Sequence, residues 1–529
     1  MLTLLLSFAT ALHLPSRSKL QPRVAASTLA PQHDWSTLPE CQLPRLLEHA
    51  FEASVAANDD KHAVQQEACA AILRAFGSGS GDGDRLGGDG GGRGGTFHDD
   101  DQTTGSEAAA RVTAVLPSGA GKTVLALRVA EAMRSRLTVV LVTSIELVSQ
   151  SYRDWLRWRS APGVLDGWRP LAVCSSTSVP REALPRTTDA SEIARFLSEV
   201  ASGDRPGVIF CTYHSAKRVG QALHAVGGAC ELLVCDEAHR CTGHASKRDA
   251  QVLHDAFLPA KRRLFLTATP KLIGSKRDSD GELVAAGSMD NTRLFGQIAY
   301  RLSYGEAVAR GVVSPLKLAF LDVSDAYVRW EGRMALEAPQ ELVEDRALAE
   351  LCLAMLDCRE RYGVRTAFAF SASNRRAADL EQVANRMLAS RGFMVGRVDG
   401  TMLARAREAR LAPLRQRGSG GAAAAGEPSD PTWLVTNCRV LAEGVDLPAV
   451  DLVVFADAKQ SHVDILQCMG RASRAVEGKE CGYVLVPVSE AAAEDGAHET
   501  AVSVMRAYAE QDQEFREALN ALVGDEARL

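Results

Sequence analysis

Leu116-Pro-Ser-Gly119-Ala120-Gly121-Lys122-Thr123 sets glycines, a lysine and a threonine side by side. Glycines let a backbone wrap tightly and aim successive N–H groups at phosphate oxygens. The run Val112–Leu116 before them predicts a strand, and Val124–Met133 after them predicts a helix. That helix's N-terminus would add partial positive charge. In this setting Lys122 reaches the β- and γ-phosphates, and the Thr123 hydroxyl ligates Mg²⁺. Leu116 stands where the eight-residue form of the pattern carries its first glycine.

A second constellation lies 114 residues beyond Lys122, in Glu231-Leu-Leu-Val-Cys-Asp236-Glu237-Ala-His239. It reads as an apolar strand ending on two adjacent acids, and strand ends of open parallel sheets are where ligands bind. Asp236 is placed to hold Mg²⁺ through water, and Glu237 to orient and deprotonate an attacking water. A glycine turn before a helix or an acidic loop after a strand would explain either segment alone. Their combination argues for hydrolysis of a nucleoside triphosphate.

Asp236-Glu-Ala-His239 resembles motif II of the superfamily-2 helicases and translocases, and further segments resemble that family's other motifs in their usual order. Gln65, in Val-Gln-Gln-Glu-Ala, looks like the adenine-reading glutamine, with Gln66 as the competing assignment. Val139 to Trp155 looks like motif Ia. Val208-Ile-Phe-Cys-Thr212-Tyr-His-Ser215 looks like motif Ib, whose hydroxyls meet a nucleic-acid backbone in the family. Thr267-Ala-Thr269-Pro270 looks like motif III, which with His239 would couple the nucleotide site to the strand-binding face. Phe368 to Asn374, with Ser371, resembles motif IV, and Val398-Asp-Gly-Thr401 the next strand end. Leu434 to Pro448 is close to motif V, with Gly444 and Asp446 expected at the nucleotide. Gln467-Cys-Met-Gly-Arg471-Ala-Ser-Arg474 is close to motif VI, whose two arginines reach the γ-phosphate from a second lobe in the family. Cys468 sits where many relatives carry another arginine.

The physical logic of those arginines stands beside the resemblance. Phosphoryl transfer needs positive charge at the γ-phosphate as its bond breaks, and an arginine finger contributes about 10³–10⁵ in rate, roughly 4–7 kcal/mol. Leu294 to Pro315 resembles the inter-lobe connection of restriction-enzyme-type DEAH helicases, like type I and III R subunits. That subgroup acts mostly on DNA, which favours DNA over RNA. The resemblance implies an α/β protein with two tandem RecA-like parallel-sheet lobes and an ATP cleft between them. ATP and Mg²⁺ are the implied cofactors. The implied activity is that of an ATP-dependent nucleic-acid helicase or translocase. An ATP-gated clamp that does not unwind is the alternative, and a P-loop ATPase without nucleic acid is a third reading that would not need Arg471, Arg474 or motif V.

The elements that must position these residues are legible as short apolar runs alternating with helical stretches. Beyond Val112–Leu116, the runs are Thr138–Val142, Val208–Cys211, Leu232–Cys235 and Leu264–Leu266. A second group comprises Thr366–Phe370, Trp433–Thr436, Leu452–Phe455 and Tyr483–Val486. Strands of this kind separated by helices predict parallel sheets covered on both faces. The expected boundaries are 34–302 for lobe 1, 303–345 for the connection, 346–489 for lobe 2 and 490–529 for a helical tail. Gly77–Gly95 holds eleven glycines in nineteen residues, so a flexible insert is expected over 77–108, and a second over 416–431.

Of the 529 residues 46% are apolar and 24% charged, which fits a globular chain. The formal net charge of −6 excludes a polycation, so nucleic-acid contact must come from local patches. Only 5% are aromatic, which argues against a surface built on base stacking. Lys217-Arg218 and Arg375-Arg376 follow motifs Ib and IV and lead the candidate patches. Lys247-Arg248, Lys261-Arg262-Arg263 and Arg405, Arg407 and Arg410 come after them. No apolar run is long enough to span a membrane. Residues 1–33 read as an apolar core followed by a basic, acid-free stretch, the order of an organelle-targeting leader; a disordered tail is the alternative. Cys230, Cys235 and Cys241, with His239 and His244, would be the place for a zinc ion, but motif II explains the same segment.

Overall fold

The computed structural model describes residues 57–78, 110–159, 167–175, 184–244, 247–271, 276–277, 283–284, 286–322, 346–402, 406–407, 409–412, 414, 431–438, 450–457, 461–476, 479–488, 497–511 and 515–517. They fall into two compact units that divide at Ser303 and Tyr304.

The first unit opens with α1 (Ala57–Ser78) and carries an eight-stranded sheet. Its strands are β1 (Ala110–Val115), β2 (Leu137–Val142), β3 (Arg169–Val173), β4 (Arg186–Thr187), β5 (Gly207–Thr212), β6 (Leu232–Cys235), β7 (Arg262–Thr267) and β8 (Gln297–Arg301). The spatial order is β8-β1-β7-β6-β2-β5-β3-β4, and every pairing is parallel. β2, Leu-Thr-Val-Val-Leu-Val, is buried at all six positions. That is the behaviour of a central strand covered on both faces, and it explains why the strand reads as a continuous apolar run. Helices α2 (Lys122–Ala132), α3 (Ile145–Trp158), α4 (Ala190–Ser202) and α5 (Ala216–Ala225) make the crossovers. The order has one consequence for function. β1, β7 and β6 are neighbours running the same way, so Leu116, Thr267 and Asp236 emerge side by side at their C-terminal ends.

The second unit begins with α6 (Tyr304–Ala309) and carries β9 (Leu316–Asp322), α7 (Arg346–Tyr362), β10 (Thr366–Phe370), α8 (Asn374–Leu388), β11 (Phe393–Val398), β12 (Thr432–Asn437), β13 (Leu452–Phe455), α9 (His462–Ala472), β14 (Gly482–Val488) and α10 (Ala497–Gln511). Its six-stranded sheet runs β9-β14-β13-β10-β12-β11, again all parallel. Both sheets are thus RecA-like α/β lobes.

Every apolar run named from the sequence lies in a strand, except that Val112–Leu116 runs one residue past the end of β1. Two expectations need correction. Gly77 and Ser78 belong to α1, so the glycine-rich insert starts after them. Leu316–Asp322 is not connection but an edge strand, paired with β14 over seven residues. The helical tail expected after Val488 contains α10, which buries Ala501, Val504 and Tyr508, and the Tyr508 hydroxyl donates to the Leu316 carbonyl at 3.4 Å. The expected leader, both inserts beyond Ser78, and Gly444 and Asp446 lie outside the described residues. No helix among the described residues is long and apolar enough to cross a membrane.

Candidate active site

Gly119 and Gly121 have φ of 88° and 87°, the left-handed region where a side chain is strained. They turn the chain from the end of β1 into α2, whose N-cap, Gly121, provides no side-chain cap. The first N–H groups of α2 therefore face the loop without a competing acceptor from that position. Lys122 is 9% exposed and its Nζ donates to the Leu116 carbonyl at 3.5 Å, which folds the lysine back over the loop. Thr123 is the second residue of α2, and its carbonyl accepts from the Trp155 indole at 3.1 Å. Trp155, fully buried on α3, packs edge-on against Phe210 at 5.4 Å and so braces the loop from beneath.

Gln65 comes to this loop from α1. A Cβ on Gly121 would lie 2.4 Å from the Gln65 Nε2, so the amide sits directly on the glycine. Gln65 is 3% exposed and its Oε1 is buried with no hydrogen-bond partner, whereas Gln66 is exposed.

The two acids follow β6. The Asp236 N–H donates to the Leu141 carbonyl and the Tyr213 hydroxyl donates to the Asp236 carbonyl at 2.7 Å, so the main chain here is fixed from two sides. Glu237 has φ 48° and ψ 51°. A left-handed glutamate costs about 1–2 kcal/mol, and such strain persists where the surroundings impose it. Its carboxylate lies 3.7 Å from the Lys122 Nζ through Oε1 and 3.4 Å from the His239 Nδ1 through Oε2. The same His239 nitrogen is 3.2 Å from the Thr267 Oγ1. Thr267 in turn donates to the Thr269 carbonyl and accepts from the Thr269 N–H, both at 3.2 Å. A continuous polar chain thus runs Lys122–Glu237–His239–Thr267–Thr269 across the ends of three adjacent strands.

The residues expected to meet nucleic acid divide. Thr212 and Ser215 are buried and their hydroxyls bond each other at 3.2 Å. Ser371 is buried too, and its Oγ has no partner. Lys217 and Arg375 are exposed and Arg218 is half-buried. The remaining basic clusters are largely spent on structure. Arg263 is fully buried and donates to the carbonyls of Val252 and Leu258 and to Asp255. Lys247 donates to the carbonyls of Arg240 and Thr242. Arg376 pairs with Asp457 at 3.1 Å and Arg410 with Glu381 at 3.4 Å. Sequence proximity to a motif does not distinguish these roles, because burial depends on which helix covers the strand.

Arg471 and Arg474 sit at the C-terminal end of α9 and just beyond it in the second unit, Arg471 buried and Arg474 half-buried. Cys230, Cys235 and Cys241 are fully buried. Burial pushes the Cys230 thiol up to about 12, and burial together with a hydrogen bond to Cys235 raises Cys241 well above its ordinary value. No metal-ligating cluster of three such side chains occurs among the described residues. Trp155 and Tyr213 were not legible as contributors, since each acts through a backbone carbonyl that the sequence does not display.

Comparison with known proteins bears on this arrangement. Residues 60–272 match the family described as type III restriction enzyme, res subunit, and residues 347–476 match the helicase conserved C-terminal domain. A Mycobacterium leprae (strain TN) protein described as uncharacterized is 25% identical over 381 residues, which are 71% of this chain and 58% of the relative. The DNA repair and recombination protein RAD54 of Oryza sativa subsp. japonica is 30% identical over 170 residues, 32% of this chain and 15% of its own. Among solved structures, the ATP-dependent type ISP restriction-modification enzyme LlaBIII bound to DNA superposes with a TM-score of 0.64 at 22% identity, over 88% of this chain and 31% of that one. A nuclease-deletion mutant of the type ISP enzyme LlaGI, in complex with a DNA substrate mimic, gives 0.55 at 22% identity, over 87% of this chain and 29% of that one. The chain thus spans less than two thirds of each of these proteins, from 15% to 58%, and the structural likenesses concern the fold.

Proposed function

Because the chain belongs to the restriction-enzyme-like helicases of superfamily 2, we propose that it hydrolyses ATP and couples hydrolysis to movement along, or remodelling of, DNA. The observation that carries this reading is the polar chain Lys122–Glu237–His239–Thr267 set beside the Gly119–Gly121 turn.

The residues present fit ATP and Mg²⁺. A buried amide oxygen without a partner, like the Gln65 Oε1, is uncommon, and this oxygen would accept from the exocyclic amine of adenine. The Gly119 and Gly121 backbone would cradle the phosphates, and the Thr123 hydroxyl and Asp236 would hold the metal. When bound, Mg²⁺ supplies positive charge against the phosphate oxygens. Lys122 exchanges its carboxylate partner for phosphate, and that exchange leaves Glu237 to orient and deprotonate the attacking water. His239 holds the second Glu237 oxygen and passes its position to Thr267 and Thr269, the link toward the strand-binding face. Arg471 and Arg474 provide the guanidinium charge for the γ-phosphate, with Gly444 and Asp446 as further nucleotide contacts. Lys217, Arg218 and Arg375 are the proposed backbone contacts. Thr212, Ser215 and Ser371 would serve only after a rearrangement that exposes their hydroxyls. The DNA-bound solved neighbours and the rice DNA repair protein support DNA over RNA.

The test is steady-state ATPase with and without single- and double-stranded DNA and RNA, with Lys122→Ala as control. Stimulation by DNA, together with loss of turnover in Lys122→Ala, is expected. Turnover indifferent to every nucleic acid, or retained in Lys122→Ala, refutes the reading.

A further inference from the structure

The last carbonyls of a helix have no intrahelical partner and must find one elsewhere. At the end of α9 each is taken. The Gly470 carbonyl accepts from the Ser473 hydroxyl at 3.3 Å, and the Arg471 carbonyl from the Val450 N–H at 3.3 Å. The Ser473 carbonyl accepts from the Ser314 N–H at 2.8 Å, and the Arg474 carbonyl from the Ser314 hydroxyl at 3.4 Å. The Ala472 carbonyl accepts from Lys479. The Lys479 ammonium also donates to the Val450 carbonyl at 2.8 Å and reaches the Arg474 carbonyl at 3.5 Å. Three N–H groups therefore meet three carbonyls, one of them on the approach to β13 and two on the turn that carries Arg471 and Arg474. β14 starts against the same turn: a Cβ on Gly482 would lie 2.1 Å from the Ala472 oxygen.

We propose that Lys479 is a positioning residue for ATP hydrolysis, its ammonium locking the end of α9 to the start of β13 and thereby fixing Arg471 and Arg474. This rests on the reading of those arginines given above. The lysine needs no contact with nucleotide to act this way. Its charge complements the negative end of the helix dipole, and its three donors leave the turn no slack.

The clamp carries a signature of its own. Burial lowers Lys479 from 10.5 to about 8, with Asp451 and Cys481 opposing the shift and Arg474 adding to it. The Asp451 carboxylate is itself held by the N–H groups of Arg365 and Thr366 and by the Thr366 hydroxyl. Above about pH 8 the amine keeps two N–H groups for three carbonyls, and the 3.5 Å contact to Arg474 is the one to go. Stability moves the other way. The unfolded lysine holds its proton to its ordinary value, so between the two values the unfolded chain binds more protons and folding stability rises with pH. Hydrolysis should fall over the same interval in which the fold gains.

The experiment is kcat and KM for ATP across about pH 6.5–10, with saturating duplex DNA, for the full chain and for Lys479→Met, Lys479→Arg and Arg471→Ala. Thermal melts are recorded alongside. Lys479→Met should lower kcat about tenfold to a hundredfold, the scale of a small misplacement at a reacting centre, with KM within about twofold. Lys479→Arg, which keeps its charge, should retain most of kcat and lose the alkaline limb near pH 8 that the unmodified chain shows. Unchanged kcat in Lys479→Met overturns the proposal, as does an alkaline limb that persists in Lys479→Arg. If Lys479→Met does not fold, the comparison of pH profiles with Lys479→Arg decides alone. A kcat unaffected by Arg471→Ala removes the arginine reading and this inference with it. A kcat that falls in Arg471→Ala but holds in Lys479→Met removes the inference only.

Discussion

Replacing Glu237 separates its chemistry from its conformation. Glu237→Gln keeps the shape of the side chain and removes its basicity. General-base catalysis is worth about 10²–10⁴ in rate, so kcat should fall by that factor, about 3–5 kcal/mol in the barrier. The fold should barely notice. The carboxylate contacts Lys122 at 3.7 Å and His239 at 3.4 Å with 17% of its side chain exposed, and a partly exposed pair of this kind is worth about 1 kcal/mol or less. Glu237→Gly goes further. It removes the same contacts but relieves the left-handed backbone at φ 48°, a gain of about 1–2 kcal/mol that offsets the lost pair and the entropy of glycine. Since about 1 kcal/mol shifts the melting temperature of such a unit by 2–4 °C, both variants should melt within a few degrees of the unmodified chain while turnover collapses. Single-turnover ATPase, binding of a fluorescent ATP analogue and thermal melts measure the three quantities. In Glu237→Gln, ATP affinity should persist and the nucleotide-bound protein should accumulate on DNA. A kcat within about threefold of the unmodified chain would show that another group activates water.

Trp155→Phe leaves the Thr123 carbonyl without its indole donor and should raise KM for ATP several-fold with kcat little changed, at a stability cost of about 1–2 kcal/mol; a kcat-only effect would argue that Trp155 does not brace the phosphate loop. Arg263→Met strands the buried carbonyls of Val252 and Leu258, at about 1–3 kcal/mol each. Its melting temperature should drop by about 4–24 °C, and salt dependence of DNA binding should not move, as it would if Arg263 contacted phosphate.

The sequence by itself displayed those parts of the proposed chemistry that neighbours along the chain can define. A phosphate loop, two acids on a strand end and a pair of arginines are contiguous segments, and their types and spacing survive in any conformation. It also determined the central strands, because a strand buried on both faces must be apolar throughout, as Leu137–Val142 is. Edge strands escape that rule. Gln297–Arg301 is exposed or half-buried along its whole length, and so shows no apolar run although it closes one side of the sheet. Tertiary structure alone decided everything that depends on sheet order. It selected Gln65 over Gln66 for the place above Gly121, and it buried Thr212, Ser215 and Ser371, which the motif resemblance had placed against nucleic acid. It also brought Lys479 to three carbonyls. The reason is physical. A crossover connection places residues far apart in the chain within hydrogen-bond reach, and a backbone carbonyl, having no residue type of its own, leaves no mark in the sequence of the partner it will accept.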